Sequence, residues 1–395
     1  MRRWPLLLLG VLLLALVLFF ALGPTLVDRS MNRIEGGTVP PVPAAAKALH
    51  ARLTIVDLHA DSFLWSRDVN RRIDHGHADV PRLAEGGVAL QLFSSVTKTP
   101  AGLNYVRNSA RAFDNATLLA IAQLQPIATW TSLIERSLYH AEKVRRTALA
   151  SEGRLRLVTS AAELDRLLAD RRAGRPVIGA MLTVEGLHNL EGRRDNLDRL
   201  YEAGFRMASI THFFDNELGG SMHGEEKGGL TPFGREIVRA MEARGMIVDI
   251  AHASPAVVAE VLGMAKRPVV SSHGGVRATC PVNRNLDDDQ IRGVARTGGL
   301  IGIGYWDAAV CDTSPASIAK AIVHVRNLVG ARHVALGSDF DGAVTTRFDA
   351  AQLAQITAAL LAAGLSEREI AGVMGDNALR VIRAGIVPQG ERAPL

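Results

Sequence analysis

In the stretch TIVDLHADSFLW, Thr54 to Trp65, an apolar run ends in His59 and Asp61. Other apolar runs end in Glu185 (VIGAMLTVE), His212 (RMASITH), His252 (MIVDIAH), His273 (PVVSSH) and Asp339 (HVALGSDF). An unpaired charge in an apolar interior costs several kcal/mol. Either each run stops at the surface, or these groups gather around a cation. His59 and Asp61 are two residues apart, so on a strand they point the same way. His252 and His273 end consecutive runs, and adjacent strands lie about 4.8 Å apart, so the two rings can converge. The two oxygens of Glu185 can bridge two cations. Imidazole and carboxylate ligands without thiolates suit zinc, and manganese or cobalt also fit. The simplest arrangement is binuclear: His59, Asp61 and Glu185 on one metal, and Glu185, His252 and His273 on the other.

A pair of divalent ions brings the pKa of bound water down toward about 7 and polarises a carbonyl. The expected chemistry is hydrolysis of an amide or ester by a hydroxide bridging two metal ions. Asp339 is not needed as a ligand and is placed to act as general base, then acid. His212 stands beside the metals as an oxyanion or substrate partner. Each residue alone has a structural reading: a solvated strand-end pair for His59 and Asp61, a first-turn helix carboxylate for Glu185, a satisfied core histidine for His252. Their common position at strand ends favours ligation. Spacing does not choose between Asp339 and Asp341. His75 and His77 in DHGHAD resemble a metal tract but follow no strand, and His188 and His223 read as loop residues near the site.

Eight apolar runs alternating with helical sequence are needed to position these groups, which points to a (β/α)8 TIM-type barrel with function at the C-terminal strand ends. An open doubly wound sheet is the competing architecture. Ser160 with Glu163 and Ser366 with Glu369 read as capping boxes. Ser254-Pro255 and Ser314-Pro315 read as N-caps before a first-turn proline. Gly204, Gly245 and Gly330 read as helix stops. Asn115 to Ala150 reads as two helices inserted after the second strand.

The chain has 395 residues and a net charge of +5 from scattered basic residues, with no basic stripe, so nucleic-acid binding has no support. No charged residue occurs from Trp4 to Val27, a run long enough to cross a bilayer. Its length and Pro24 favour an uncleaved signal anchor over a cleaved signal. Arg2 and Arg3 precede it, so the remainder is expected outside the cytoplasm, periplasmic or extracellular. The expected organisation is a transmembrane helix over 1–28, a linker over 29–50 that includes the Gly/Pro/Ala-rich GGTVPPVPAAAKA, and a barrel over 51–390. Cys280 and Cys311 are the only cysteines, and spacing alone does not pair them.

The blocks DLHADS, TVEGLH, SITHF, DIAHAS, VSSHGG, NRNLDDD and GSDFDG, with HADVPRLAEGGVALQLFS and GGLTPFG, occur in an order that resembles the renal-type (membrane) dipeptidases, the M19 family of zinc peptidases. The resemblance runs from about Thr54 to Ile382. It implies a binuclear-zinc barrel that cleaves dipeptides, with His59, Asp61, Glu185, His252 and His273 as ligands. It further implies substrate-binding roles for His212, Arg284 and Asp339, and it favours Asp339 over Asp341. Arg284 suits a bidentate grip on the dipeptide carboxylate. A D-residue at the C-terminal position of the substrate and a homodimer are compatible with the resemblance. FFDNELGGSMHGEEKGGL replaces the corresponding loop of the animal enzymes, so it does not transmit their side-chain preference. Other readings are a different metal-dependent amidohydrolase, such as an N-acyl amino acid deacylase or lactonase, and an anchored binding protein without turnover.

Overall fold

The computed structural model describes residues 4–37 and 39–387; Arg2, Arg3 and the expected domain end at 390 lie outside the described residues. In chain order the strands are β1 (Arg33–Ile34), β2 (Ile55–Ala60), β3 (Val88–Val96), β4 (Leu155–Leu157), β5 (Ile178–Glu185) and β6 (Phe205–Ser209). They continue with β7 (Ile247–Asp249), β8 (Val270–Ser271), β9 (Leu300–Ile303), β10 (Val334–Leu336) and β11 (Thr345–Thr346). β2, β3 and β5 to β10 pair in parallel around a closed ring, with β3 joined to β5 and β10 to β2. These are the eight expected runs, so the barrel holds and the open sheet does not.

Every position of β2, β3 and β5 is buried. Such strands carry apolar residues on both faces because one face lines the barrel and the other meets the helices. The side chains of Asp57 and His59 share one face of β2. Val56 and Leu58 share the other and join a cluster with Leu379 and Ile382 of the helix Asn377–Gly385.

β4 was not expected. It pairs with the first residues of β5, Leu155 opposite Ile178 and Leu157 opposite Ala180, while β6 takes the later ones, Leu182 opposite Phe205. Three residues with Arg156 in the middle carry no readable period.

The helix ends follow the local chemistry. Ser254 and Ser314 cap helices that begin with Pro255 and Pro315, and Ser366 forms a reciprocal box with Glu369. The Glu163 carboxylate instead accepts from Thr159 N at 2.7 Å, so Ser160 caps without the reciprocal bond. The segment 115–150 forms three helical pieces rather than two, Asn115–Ala122, Ala128–Thr131 and Leu133–Ala150. Leu124 in a left-handed conformation and Pro126 make the first break, and the cap Ser132 makes the second.

The N-terminal helix Trp4–Met31 is long and apolar enough to cross a membrane. The stretch after it is seated on the barrel: β1 pairs with β11, and Ala44–His50 is helical. Asp28 is buried and accepts from Asn32 Nδ2 at 2.8 Å and pairs with His75 Nε2 at 3.2 Å. Cys280 and Cys311 form a disulfide.

Candidate metal centre

Parallel pairing brings the strand ends together. Asp57 opposes Leu336 across the β2–β10 seam, and beyond it Asp339 N donates to His59 O at 3.2 Å and Asp61 N to Phe340 O at 2.8 Å. Across the β7–β8 seam Asp249 opposes Val270, which sets His252 beside His273. His252 and Asp339 have φ of 64° and 62°. Such left-handed non-glycine residues cost on the order of 1–3 kcal/mol each and cluster where side-chain direction matters.

The resulting geometry centres on one carboxylate oxygen. Glu185 Oε1 lies 3.0 Å from His252 Nε2, 3.1 Å from His273 Nε2, 3.5 Å from His212 Nε2 and 3.7 Å from His59 Nε2. His59 Nε2 is also 3.5 Å from Asp61 Oδ2 and 3.8 Å from Asp339 Oδ1. Among the described residues, donor atoms close enough to share an ion form the sets His59–Asp61–Glu185, His59–His273–Asp339 and Glu185–His212–His252. Asp339 and His212, expected beside the metals, thus stand among the donors.

The donor chemistry fits divalent cations. His59 Nε2 and Asp61 Oδ1 are buried without a hydrogen-bond partner. The Nε2 atoms of His252 and His273 meet at 3.0 Å and both face Glu185 Oε1, a convergence of three donor atoms that one divalent ion would satisfy together. His273 Nδ1 bonds Ser272 Oγ at 2.8 Å and His212 Nδ1 bonds Lys98 O at 3.0 Å, so both rings are oriented from behind.

The protein's own charges also call for positive charge here. Burial disfavours an imidazolium at His59, yet Asp61, Glu185 and Asp339 outweigh it and push its pKa up to about 10. Burial raises Asp61 to about 6 against the pull of His59, with Glu185 adding to the rise. Burial, with Asp61 and Glu185 beside it, holds Asp339 well above the carboxylate range. At Glu185 burial is overcome by His212, His59 and the bonds from His252 and His273, and the carboxyl stays ionised.

Arg284 is buried rather than on the surface with Asp287 to Asp289. Its Nη2 donates to His273 O at 2.9 Å, its guanidinium lies 5.6 Å from the Trp306 ring, and its Nε has no partner. Asp341 is turned away from the metal donors. It pairs with Arg67 and accepts from Ser62 Oγ at 2.6 Å and His77 N at 2.6 Å, which makes it a structural brace. His77 stacks on Phe340 and bonds Arg33 O at 3.0 Å, while His75 pairs with Asp28, so neither faces the cluster. His188 and His223 are buried beside the site, and burial carries both to about 3.

Three residues near the centre escaped the sequence reading. Asp57 Oδ1 accepts from His59 N at 3.2 Å and Ser338 N at 2.9 Å, and Asp249 Oδ1 accepts from Ala251 N and Ser272 N, both at 2.9 Å. These buried carboxylates pin the two seams beneath the donors. The repeated IVD of Ile55–Asp57 and Ile247–Asp249 is the signal that would have found them. Tyr105 lies in the loop after β3, where no periodicity marks it; its hydroxyl accepts from Trp306 Nε1 at 3.1 Å. Gly186, at φ 81°, leaves room for His212: a Cβ there would stand 2.8 Å from both His188 Nδ1 and His212 Cβ.

Known proteins resemble this chain in sequence and in fold. Residues 44–388 match the family profile described as membrane dipeptidase (peptidase family M19). The chain is 38% identical over 215 residues to the dipeptidase aclJ of Aspergillus oryzae, a match covering 52% of this chain and about half, 51%, of that protein. It is 30% identical over 319 residues to the dipeptidase verJ of Clonostachys rogersoniana, covering 79% of this chain and 76% of that one. Its fold is similar to a metallo peptidase from Rhodobacter sphaeroides, with a TM-score of 0.70 and 21% identity over 84% of this chain and 99% of the other. The chain therefore belongs to the membrane dipeptidase family, peptidase family M19, and is a metallodipeptidase by class.

Proposed function

We propose that the protein hydrolyses dipeptides at a binuclear zinc centre held by His59, Asp61, Glu185, His252 and His273, on the outer side of a membrane that its N-terminal helix crosses. The observation that carries this reading is Glu185 Oε1 standing 3.0–3.7 Å from four imidazole nitrogens, three of them on the proposed ligands His59, His252 and His273. Two such ions, when bound, supply Lewis acidity and an activated water. The chain's own residues do the rest. Asp339 accepts the proton of the attacking water and returns it to the leaving amine. Arg284, with an unpartnered Nε, holds the terminal carboxylate of the dipeptide. The His212 Nδ1 proton is committed to Lys98 O, so its Nε2 accepts from substrate when neutral and donates to the developing oxyanion when protonated. The Rhodobacter sphaeroides protein was crystallised with a phosphinate mimic of the dipeptide L-Ala-D-Ala, which supports including L,D pairs among the substrates. The family resemblance also brings a homodimer.

The test is a dipeptide library, L,D pairs included, assayed with zinc-replete and chelated protein side by side. Elemental analysis of the same preparation should give close to two divalent ions per chain. Turnover that survives chelation, or one ion at full activity, ends the binuclear reading.

A further inference from the structure

Outside the N-terminal helix, the exposed large apolar side chains are concentrated in one segment. Leu103, Val106, Phe113, Leu118, Leu124 and Ile127 are 43–73% exposed, and among the other described residues only Ile34 and Leu149 match them. Single exposed apolar residues are ordinary, but a concentration of them marks a contact surface.

The segment lies beside the anchor. Its helix Asn115–Ala122 packs against the N-terminal helix. That helix is exposed at each described side chain through Phe19 and meets the rest of the protein from Phe20 onward, at Gly23, Pro24, Thr25 and Asp28. A hydrocarbon core takes about 20 helical residues, which from Trp4 reaches Gly23. Asn115–Ala122 therefore stands where the anchor leaves the acyl chains. The anchor does not swing freely, because Asp28 is buried in the barrel's polar contacts, Arg29 pairs with Asp74 at 2.6 Å and β1 is paired to β11. Of the segment's charges, Arg107 is paired with Glu225 at 3.3 Å and Asp114 with Arg136 at 2.8 Å, while the exposed Arg111 lies among the apolar side chains. An apolar surface with a basic residue on it suits the headgroup–acyl boundary of a bilayer.

The inner side of the same loop walls the metal centre. Lys98 O receives His212 Nδ1 at 3.0 Å, and Tyr105 O receives His223 Nδ1 at 2.9 Å.

We infer that residues 103–127 seat on the outer leaflet of the bilayer, so that the loop walling the metal centre is held at the lipid surface. This rests on the reading of the N-terminal helix as a membrane span. Because Cys280 and Cys311 are bonded to each other, one added cysteine on the full chain can carry a spin label. Leu118→Cys and Ile127→Cys probe the segment, and Leu13→Cys probes the anchor. Leu149→Cys is the control: Leu149 is 86% exposed, at the end of the helix that leads to the opposite end of the barrel.

In nanodiscs of phosphatidylcholine and phosphatidylglycerol, labels at 118 and 127 should relax with oxygen rather than with a water-soluble nickel complex, at a depth of about 5–10 Å into the headgroup–acyl boundary. The label at 149 should do the reverse. Labels at 118 and 127 that behave like 149 while 13 lies in lipid overturn the inference and leave the anchor standing. A water-accessible label at 13 overturns both. Dipolar broadening at 118 and 127 without oxygen access overturns it in favour of a second copy of this chain.

Discussion

Replacing Asp339 by asparagine tests the proton-transfer role directly. Asn is close in shape and, like Asp, tolerates the left-handed backbone at φ 62°, so the fold should survive. Alanine would add about 1–2 kcal/mol of backbone cost and confuse the result. The change removes a charge 3.8 Å from His59 Nε2. The Asp339 oxygen belongs to a donor set with His59 and His273, so the variant can affect metal affinity and metal content must be measured beside turnover. With zinc saturating and both ions retained, kcat should fall by about 10²–10⁴, a barrier increase of about 3–5 kcal/mol, with KM little changed. A kcat within about tenfold of wild type with both ions bound removes Asp339 from proton transfer. Loss of one ion makes Asp339 a ligand instead, as its set with His59 and His273 allows.

Arg284→Ala should lower kcat/KM about 100-fold or more on dipeptides with a free C-terminus, the scale of truncating a buried charge pair. Equal loss on C-terminally amidated substrates would contradict the carboxylate grip. Replacing Cys280 and Cys311 by serine together should lower stability by about 3–4 kcal/mol in the chain-entropy view, for a sequence separation of 31; an unchanged Tm would show that the bond constrains little. Burial, with Lys143 adding to it, holds the His140 imidazole well below its ordinary range. The unfolded chain takes up that proton near pH 6.5 and the folded one does not. Stability is then full above that pH and falls as the pH drops below it, by at most about 1.4 kcal/mol per pH unit for this group. His140→Phe should flatten the Tm-against-pH slope between pH 7.5 and 5.5, and an unaltered slope would assign the acid sensitivity elsewhere.

The eight strand runs, the strand-end histidines and carboxylates, and the apolar N-terminal helix were legible because each is written in neighbouring residues. Burial on both faces leaves a continuous apolar run, and a polar group ending such a run is visible without coordinates. Pairing, direction and distance are not local properties. Ring closure alone brings Glu185 within reach of four imidazoles carried by strands far apart in sequence. It alone turns Asp341 into a brace while its neighbour Asp339 faces His59. The docking of the expected linker, the Cys280–Cys311 bond and the place of Tyr105 likewise depend on contacts between distant segments, which no spacing along the chain encodes. The residue types determined what chemistry was available; the closed barrel decided which of them share it, because only packing fixes how far apart distant side chains stand.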